Sequence, residues 1–286
     1  MSDFIFPFVF KNANVRGRFI HLDQVIEDCF ENHEYSPVVK SIMIRSLLYS
    51  VLFSSLVKID AVMTFQIQNP DSLLKLMVSE IYQQKFIRAF CRYEDVLDEA
   101  VIDFKSLLDG ALLSFTVDPT DDKLKRYQGV IKINHDNFDD AVQEYFLASE
   151  QSETKIKTSI RVNNNLPQPT YEASCLMIQK LPKTQIQKDI ESDWDRVSIF
   201  FDTIEDKDLA KMSKDYASYL PMIFSEDELV AFDKENVFYR CRCSLEKIYQ
   251  ILEQMNIEPD EETQIKCEYC GRVYEGIDKA TGGQVH

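Results

Sequence analysis

Four cysteines near the end of the chain stand in two close pairs. Cys241-Arg242-Cys243 is followed, after 23 residues, by Cys267-Glu268-Tyr269-Cys270-Gly271. Four thiolates so arranged suit a closed tetrahedral Zn²⁺ site, with Zn–S bonds of about 2.3 Å and no open position for water. The second pair has the form of a zinc knuckle: a tight C-x-x-C turn points both sulfurs inward, Gly271 lets the chain turn back, and Val273 and Tyr274 begin a strand. In the first pair only Arg242 separates the thiols, so the backbone must bend locally for both to reach one metal. Two other readings of the cysteines stand beside this one. They are four unliganded thiols, or a dithiol oxidoreductase at Cys267 and Cys270, although no Trp or Pro of a thioredoxin-type motif accompanies that pair. Arg240, Arg242, Lys247, Lys266 and Arg272 lie close by in the sequence. Cations beside a thiol favour the thiolate, the form that binds metal and reacts with oxidants. Glu246, Glu268 and Glu275 soften that bias.

Other candidates are weaker. Cys29, Cys91 and Cys175 lie in apolar or mixed segments and read as buried structural thiols. The four histidines, His21, His33, His135 and His286, form no Ser/His/Asp or Cys/His arrangement, and no P-loop occurs, so no enzymatic activity is expected. The acidic run Glu258–Glu262 reads as a solvated loop between the cysteine pairs. Energetics give the four cysteines a switch-like character. Zinc binding in small domains is folding free energy, about 10–16 kcal/mol in peptides. A segment of some fifty residues has little core of its own. Oxidising the thiolates removes the ligands, so metal and fold go together.

The elements that hold these residues come next. The chain has 286 residues, with 32 Lys and Arg against 48 Asp and Glu, a formal charge of −16. That excludes a phosphate-backbone binder, which needs surplus cations, and 45% apolar residues exclude wholesale disorder. Val15–Leu22 and Ala61–Gln68 alternate as half-buried strands, and Asp23 can cap a helix through Phe30. Val38–Ile59 is the most membrane-like run, but Arg45 interrupts it and Val39, Ile42, Met43, Leu47, Val51 and Phe53 suit a buried helix. Leu73–Gln84, Phe86–Tyr93, Ala111–Val117, Gly129–Ile133, Thr154–Val162 and Ala173–Gln179 add strands, and Asn137–Ser149 a helix. This is an α+β pattern. The apolar N-terminus, Met1–Phe10, has no basic region or cleavage site, so no secretory leader is expected and the reading is soluble and cytoplasmic.

Beyond Pro182 the texture changes. Residues 181–286 carry 13 basic and 23 acidic side chains, against 19 and 25 in the first 180. Gln185–Leu220 is helix-like, with Ile190, Trp194, Val197, Phe200 or Phe201, and Ile204 on one stripe. The stripe either packs permanently on the first domain or is sometimes released. Phe224–Tyr239 reads as a short mixed linker. The expected organisation is a core domain over 1–180, an amphipathic linker over 181–236 and a zinc-binding domain over 237–286.

The cysteine pattern and a series of shorter stretches resemble the 33 kDa chaperonin family, redox-regulated heat-shock holdases. The stretches are Val15-Arg16-Gly17, Asn32-His33-Glu34-Tyr35, Leu56-Val57-Lys58-Ile59-Asp60, Tyr127-Gln128-Gly129-Val130, Tyr145–Gln151 and Cys241–Lys247. The resemblance implies that the reduced protein is an inactive zinc-bound monomer. Peroxide or hypochlorous acid, combined with unfolding stress, then ejects zinc and forms Cys241–Cys243 and Cys267–Cys270 disulfides. The linker destabilises, and the oxidised form, commonly a homodimer, holds unfolding client proteins without ATP. Two departures stand out: Ala61 replaces the usual Gly at what reads as a turn, and the spacer between the cysteine pairs is shorter than in some members. The alternative function is a zinc-ribbon interaction module that binds one specific protein partner.

Overall fold

Two six-stranded sheets pack around a helix whose second half is buried on every side. The computed structural model describes residues 3–94, 104–182, 190–258, 263–275 and 284–285. In chain order the elements are β1 (Phe4–Phe10), β2 (Val15–Leu22), α1 (Gln24–Phe30), α2 (Pro37–Ser54), β3 (Ala61–Gln68), β4 (Leu74–Tyr82) and β5 (Phe86–Tyr93). There follow α3 (Phe104–Leu108), β6 (Leu112–Pro119), β7 (Tyr127–Lys132), α4 (Phe138–Glu150), β8 (Thr154–Asn163) and β9 (Thr170–Lys180). The remainder comprises α5 (Ile190–Asp202), α6 (Asp206–Ile223), β10 (Leu229–Ala231), β11 (Glu235–Asn236), β12 (Phe238–Tyr239), α7 (Leu245–Gln254), β13 (Gln264–Lys266), β14 (Val273–Glu275) and β15 (Gln284–Val285).

The first sheet runs β10-β1-β2-β9-β8, with β11 also on β1, and the second runs β12-β5-β4-β3-β6-β7. Helix α2 lies between them. Ser36 caps it, Pro37 opens its first turn, and every residue from Ser46 to Ser54 is buried, while Lys40, Ser41 and Arg45 in its first half stay partly exposed. By length and composition it could cross a bilayer, but it is the core helix here, packed with β2–β5 and β9. Asp23 caps α1 as its position suggests. The mixed α/β architecture matches the sequence expectation.

Four local differences have physical reasons. Strand β1 escapes an alternation test because both its faces are covered: Ile5 packs toward α2, while Phe4, Phe8 and Phe10 pack toward α5 and α6. The helical stretch after Pro182 is two helices, broken at Thr203–Glu205, where Asp208 accepts the Glu205 backbone N–H at 3.0 Å. Residues 183–189, the start of that expected helix, lie outside the described residues. The stripe is packed: Trp194, Val197, Phe201 and Ile204 sit with Phe8, Phe19 and Leu176 on the outer face of the first sheet. Phe224–Tyr239 contains three short strands that stitch onto both sheets, β10 and β11 on β1 and β12 parallel to β5. Ala61 is no turn residue; it opens β3, paired with Pro119.

Candidate metal centre

The cysteines come from two short devices that follow sheet edges. After β12 the chain bends through Cys241 and Cys243 and enters α7, where Ser244 caps by accepting the Lys247 N–H at 3.3 Å. The second pair sits in a turn after β13. Gly271 donates its N–H to the Cys267 carbonyl at 2.8 Å, and Cys267 donates to Arg272 at 2.9 Å. Gly271 holds φ at +68°, and a Cβ there would come within 2.7 Å of the Asn32 carbonyl oxygen, so glycine is required twice over. Pro259–Glu262 of the expected acidic loop lie outside the described residues.

These devices converge. The sulfurs of Cys241, Cys243, Cys267 and Cys270 all lie within 4.8 Å of one another. Across the pairs, Cys241 and Cys267 are 3.7 Å apart, and Cys243 and Cys270 are 3.5 Å apart. A tetrahedron with metal–sulfur bonds of about 2.3 Å has edges of about 3.8 Å, whereas a disulfide would place sulfurs at about 2.05 Å. All four cysteines are free and half-buried. The donor set and its spacing suit a metal ion.

The electrostatics point the same way. Cys241 is pushed down to about 4, first because Cys267 donates a hydrogen bond to its thiolate. Cys267 is pushed up by making that bond and by burial. Burial raises Cys270 to about 11. One thiolate is therefore easy to form, and the next cost more, because negative charges crowd a half-buried space. A cation among them removes that penalty. Tyr274, buried under α7, donates its hydroxyl to Cys243 Sγ at 3.1 Å.

The lobe that carries the sulfurs is docked on the outer face of β4 and β5, through the residues between the cysteines. Arg242, inside the first pair, reaches the Glu80 carboxylate, which Arg88 also binds through Nε and Nη2 at 3.1 and 2.9 Å. Tyr269, inside the second pair, lies with its ring 3.8 Å from the Arg88 guanidinium and edge-on to Phe90 at 4.7 Å. Glu268 is gripped by Arg92 through both carboxylate oxygens. Asn32 donates to the Cys270 carbonyl at 3.0 Å.

Comparison with known proteins follows this geometry. The pattern described as Hsp33 protein matches residues 3–276. The chain belongs to the Hsp33 family. It is 25% identical to the 33 kDa chaperonin of Caulobacter vibrioides over 287 residues, covering 96% of this chain and 94% of the relative. It is 26% identical to that of Escherichia coli over 279 residues, covering 95% and 91%. Its fold is similar to the crystal structure of the 33 kDa chaperonin from Thermotoga maritima, with a TM-score of 0.78 at 14% identity over 100% of this chain and 95% of the other. Hsp33 is a chaperone family, not a family of enzymes, and membership together with the relatives' names supports a chaperone.

The sequence located all four cysteines, and the structure brings them together. Of the five neighbouring cations, Arg242 turns to Glu80 and Arg240 lies over the Phe86 ring at 5.0 Å. Arg88, from β5, brings its guanidinium to 4.0 Å from Cys241 Sγ. Sequence reasoning missed Arg88, Glu80, Arg92 and Asn32. Asn32 lies in one of the family stretches, with nothing in the sequence to give it a role; the others alternate along two strands, outward on the face opposite the core residues Ile81, Ile87 and Ala89. Cys29, Cys91 and Cys175 are buried in the core, with Cys91 raised to about 12 by burial, far from thiolate chemistry.

Proposed function

We propose that this chain is a redox-regulated, ATP-independent holdase of the cytoplasm, silent while its four cysteines hold zinc and active after their oxidation. The carrying observation is the sulfur cluster itself: four unbonded thiols at tetrahedral spacing, in a lobe whose inter-cysteine residues are also its docking residues. All-sulfur tetrahedral ligation favours Zn²⁺. Bound there, the ion would balance the thiolate charge and keep the lobe folded. Cys241, Cys243, Cys267 and Cys270 are then both ligands and sensor. On oxidation by peroxide, each pair of thiolates gives up two electrons; an S–S bond forms, the O–O bond breaks, two protons are taken from solvent, two waters leave, and the zinc loses its ligands. The proposed pairs are Cys241–Cys243 and Cys267–Cys270. Pairing within each device ends the cross-pair approach of the sulfurs at 3.7 and 3.5 Å and draws the two devices apart, and Arg242 and Tyr269 leave the face of β4 and β5 with them. The proposed division follows: a core over 1–180, a linker over 181–236 that yields once the lobe is undone, and a switch domain over 237–286. The reduced form is a monomer and the oxidised form a homodimer that binds unfolding proteins.

Zinc release and aggregation of a heat-unfolded client are measured together as peroxide is added at elevated temperature. One zinc per reduced chain, its release, and suppressed light scattering are expected, with peptide mapping giving the two within-pair disulfides. Zinc loss without protection would remove the holdase reading. Zinc retention under oxidant, with capture of one specific partner, would favour a permanent zinc-ribbon interaction module instead.

A further inference from the structure

A second site lies in the core, away from the sulfurs. Between α2, β6 and the end of α4 is a cavity of about 520 Å³, within the span of about 300–1,000 Å³ usual for small-molecule sites. Its floor is a stack of three phenylalanines, Phe53 lying 4.3 Å from Phe115 and 4.6 Å from Phe146. Leu56, Val57 and Ile59 form an apolar wall. The mouth is polar: Arg16, Lys125, Tyr127, Ser149 and Glu150 converge there.

The charges at the mouth are unevenly matched. Arg16 spends Nε and Nη2 on one neutral acceptor, Gln179 Oε1, at 2.8 and 2.5 Å. Among the described residues its Nη1 has no partner, and no carboxylate lies within ion-pairing distance of it. Gln179 is itself buried and fixed, donating to Thr154 at 2.9 Å, so the guanidinium is held in place before any ligand arrives. Burial lowers the Arg16 pKa, opposed by the nearby charge of Glu150, which stands beyond ion-pairing distance. Lys125 likewise makes no ion pair among the described residues. The one acid, Glu150, is exposed and engaged by the Tyr127 hydroxyl at 3.3 Å. Segments distant in the chain meet here: Arg16 from β2, Leu56, Val57 and Ile59 from the link between α2 and β3, Tyr127 from β7, and Phe146, Ser149 and Glu150 from α4. The cysteine site uses none of these residues.

We propose that this cavity binds an apolar chain ending in a carboxylate, the chain over the Phe53–Phe115–Phe146 stack and the carboxylate on Arg16. Guanidinium and carboxylate match in bidentate geometry, and the dry floor rewards an apolar tail. Such a group occurs in a free fatty acid and at the hydrophobic C-terminus of a polypeptide. The site stands independently of the redox reading.

Titration calorimetry on the reduced, zinc-loaded full chain tests this with decanoate, with the free acid of N-acetyl-Leu-Phe, and with decyltrimethylammonium as the charge-reversed probe. Saturable one-to-one binding of at least one acid is expected, with the ammonium not bound. The better-bound acid assigns the source. Arg16→Met should weaken binding at least tenfold, Arg16→Lys less, and Val57→Trp, which fills the cavity, should abolish it. Absence of saturable binding by either acid, equal binding of decyltrimethylammonium, or unaltered affinity in both Arg16→Met and Val57→Trp would overturn the proposal.

Discussion

The core around α2 and the lobe around the four sulfurs are held together by different physics. The core buries aromatic and aliphatic side chains from two sheets and four helices, among them Tyr49, Phe65 and Phe146 at 0–1% exposure. Among the described residues the lobe's apolar cluster buries three, Ile248, Leu252 and Tyr274. Three side chains at about 1.5–3 kcal/mol each fall far short of the entropy of ordering such a segment. Cysteine chemistry divides along the same line. Burial holds the Cys91 thiol at about 12, while a neighbouring thiol brings Cys241 down to about 4. The same residue is packing material in one region and part of a sulfur cluster that could hold a metal ion in the other. In the proposed switch, coupling a stable body to a conditionally stable one would let a local chemical event unfold part of the molecule and spare the rest.

The comparison breaks most sharply at the metal. Chelation, or Cys267→Ser with Cys270→Ser, should remove stabilisation on the order of 10 kcal/mol from the lobe. Hydrogen exchange should then show α7 unprotected while α2 keeps its protection. Equal loss in both helices would mean that the two regions are one cooperative unit.

A smaller effect tests the docking. Glu80 is 8% exposed and bridges Arg88 and Arg242. Glu80→Gln keeps the shape but leaves two guanidiniums without their carboxylate, costing about 2–3 kcal/mol of docking. Peroxide should then release the metal at lower dose, with the thermal transition of the core nearly unchanged. The same release curve as in the parent chain would show that the lobe answers to its sulfurs alone.

The smallest effect belongs to the core. Asp3 accepts the backbone N–H groups of Asp23 and Val25 at 2.8 and 3.1 Å, yet burial raises its carboxyl to about 6. A raised carboxyl binds its proton more tightly folded than unfolded, so its contribution is full at low pH and is lost as pH rises through 6. Between pH 5 and 7.5 the parent should lose on the order of 1 kcal/mol of stability that Asp3→Asn does not lose. Denaturant titrations of the two chains at both pH values give the difference directly.

What the sequence revealed follows from the range of each interaction. Strands β2 and β3 carry their boundaries in a period of two, visible within eight residues. The four clustered cysteines are visible because each pair is local and the chemistry admits few alternatives. Strand β1 hides because both faces are buried. The break between α5 and α6 hides because Ile204 continues the stripe across it, although Glu205 and Asp208 stand at capping positions. The two- and three-residue strands β10, β11 and β12 are too short for any pattern. The docking set was out of reach for another reason: Glu80 meets Arg242 across 162 positions and Asn32 meets Cys270 across 238. Only the opposed pair Glu80 and Arg88, charged and cross-strand in a core hairpin, offered a hint.

Residues 229–239 close the outer edge of β1 with β10 and β11 and the outer edge of β5 with β12. At the gap between β10 and β11, Phe232 donates to the carbonyl of Pro7, the one strand residue there with no N–H to offer. If this ribbon peels away with the lobe, two rows of main-chain amides and carbonyls are bared together. Such rows recognise any extended peptide, whatever its side chains. A protein that must catch many unrelated chains would find in its own seam an adhesive that does not read sequence.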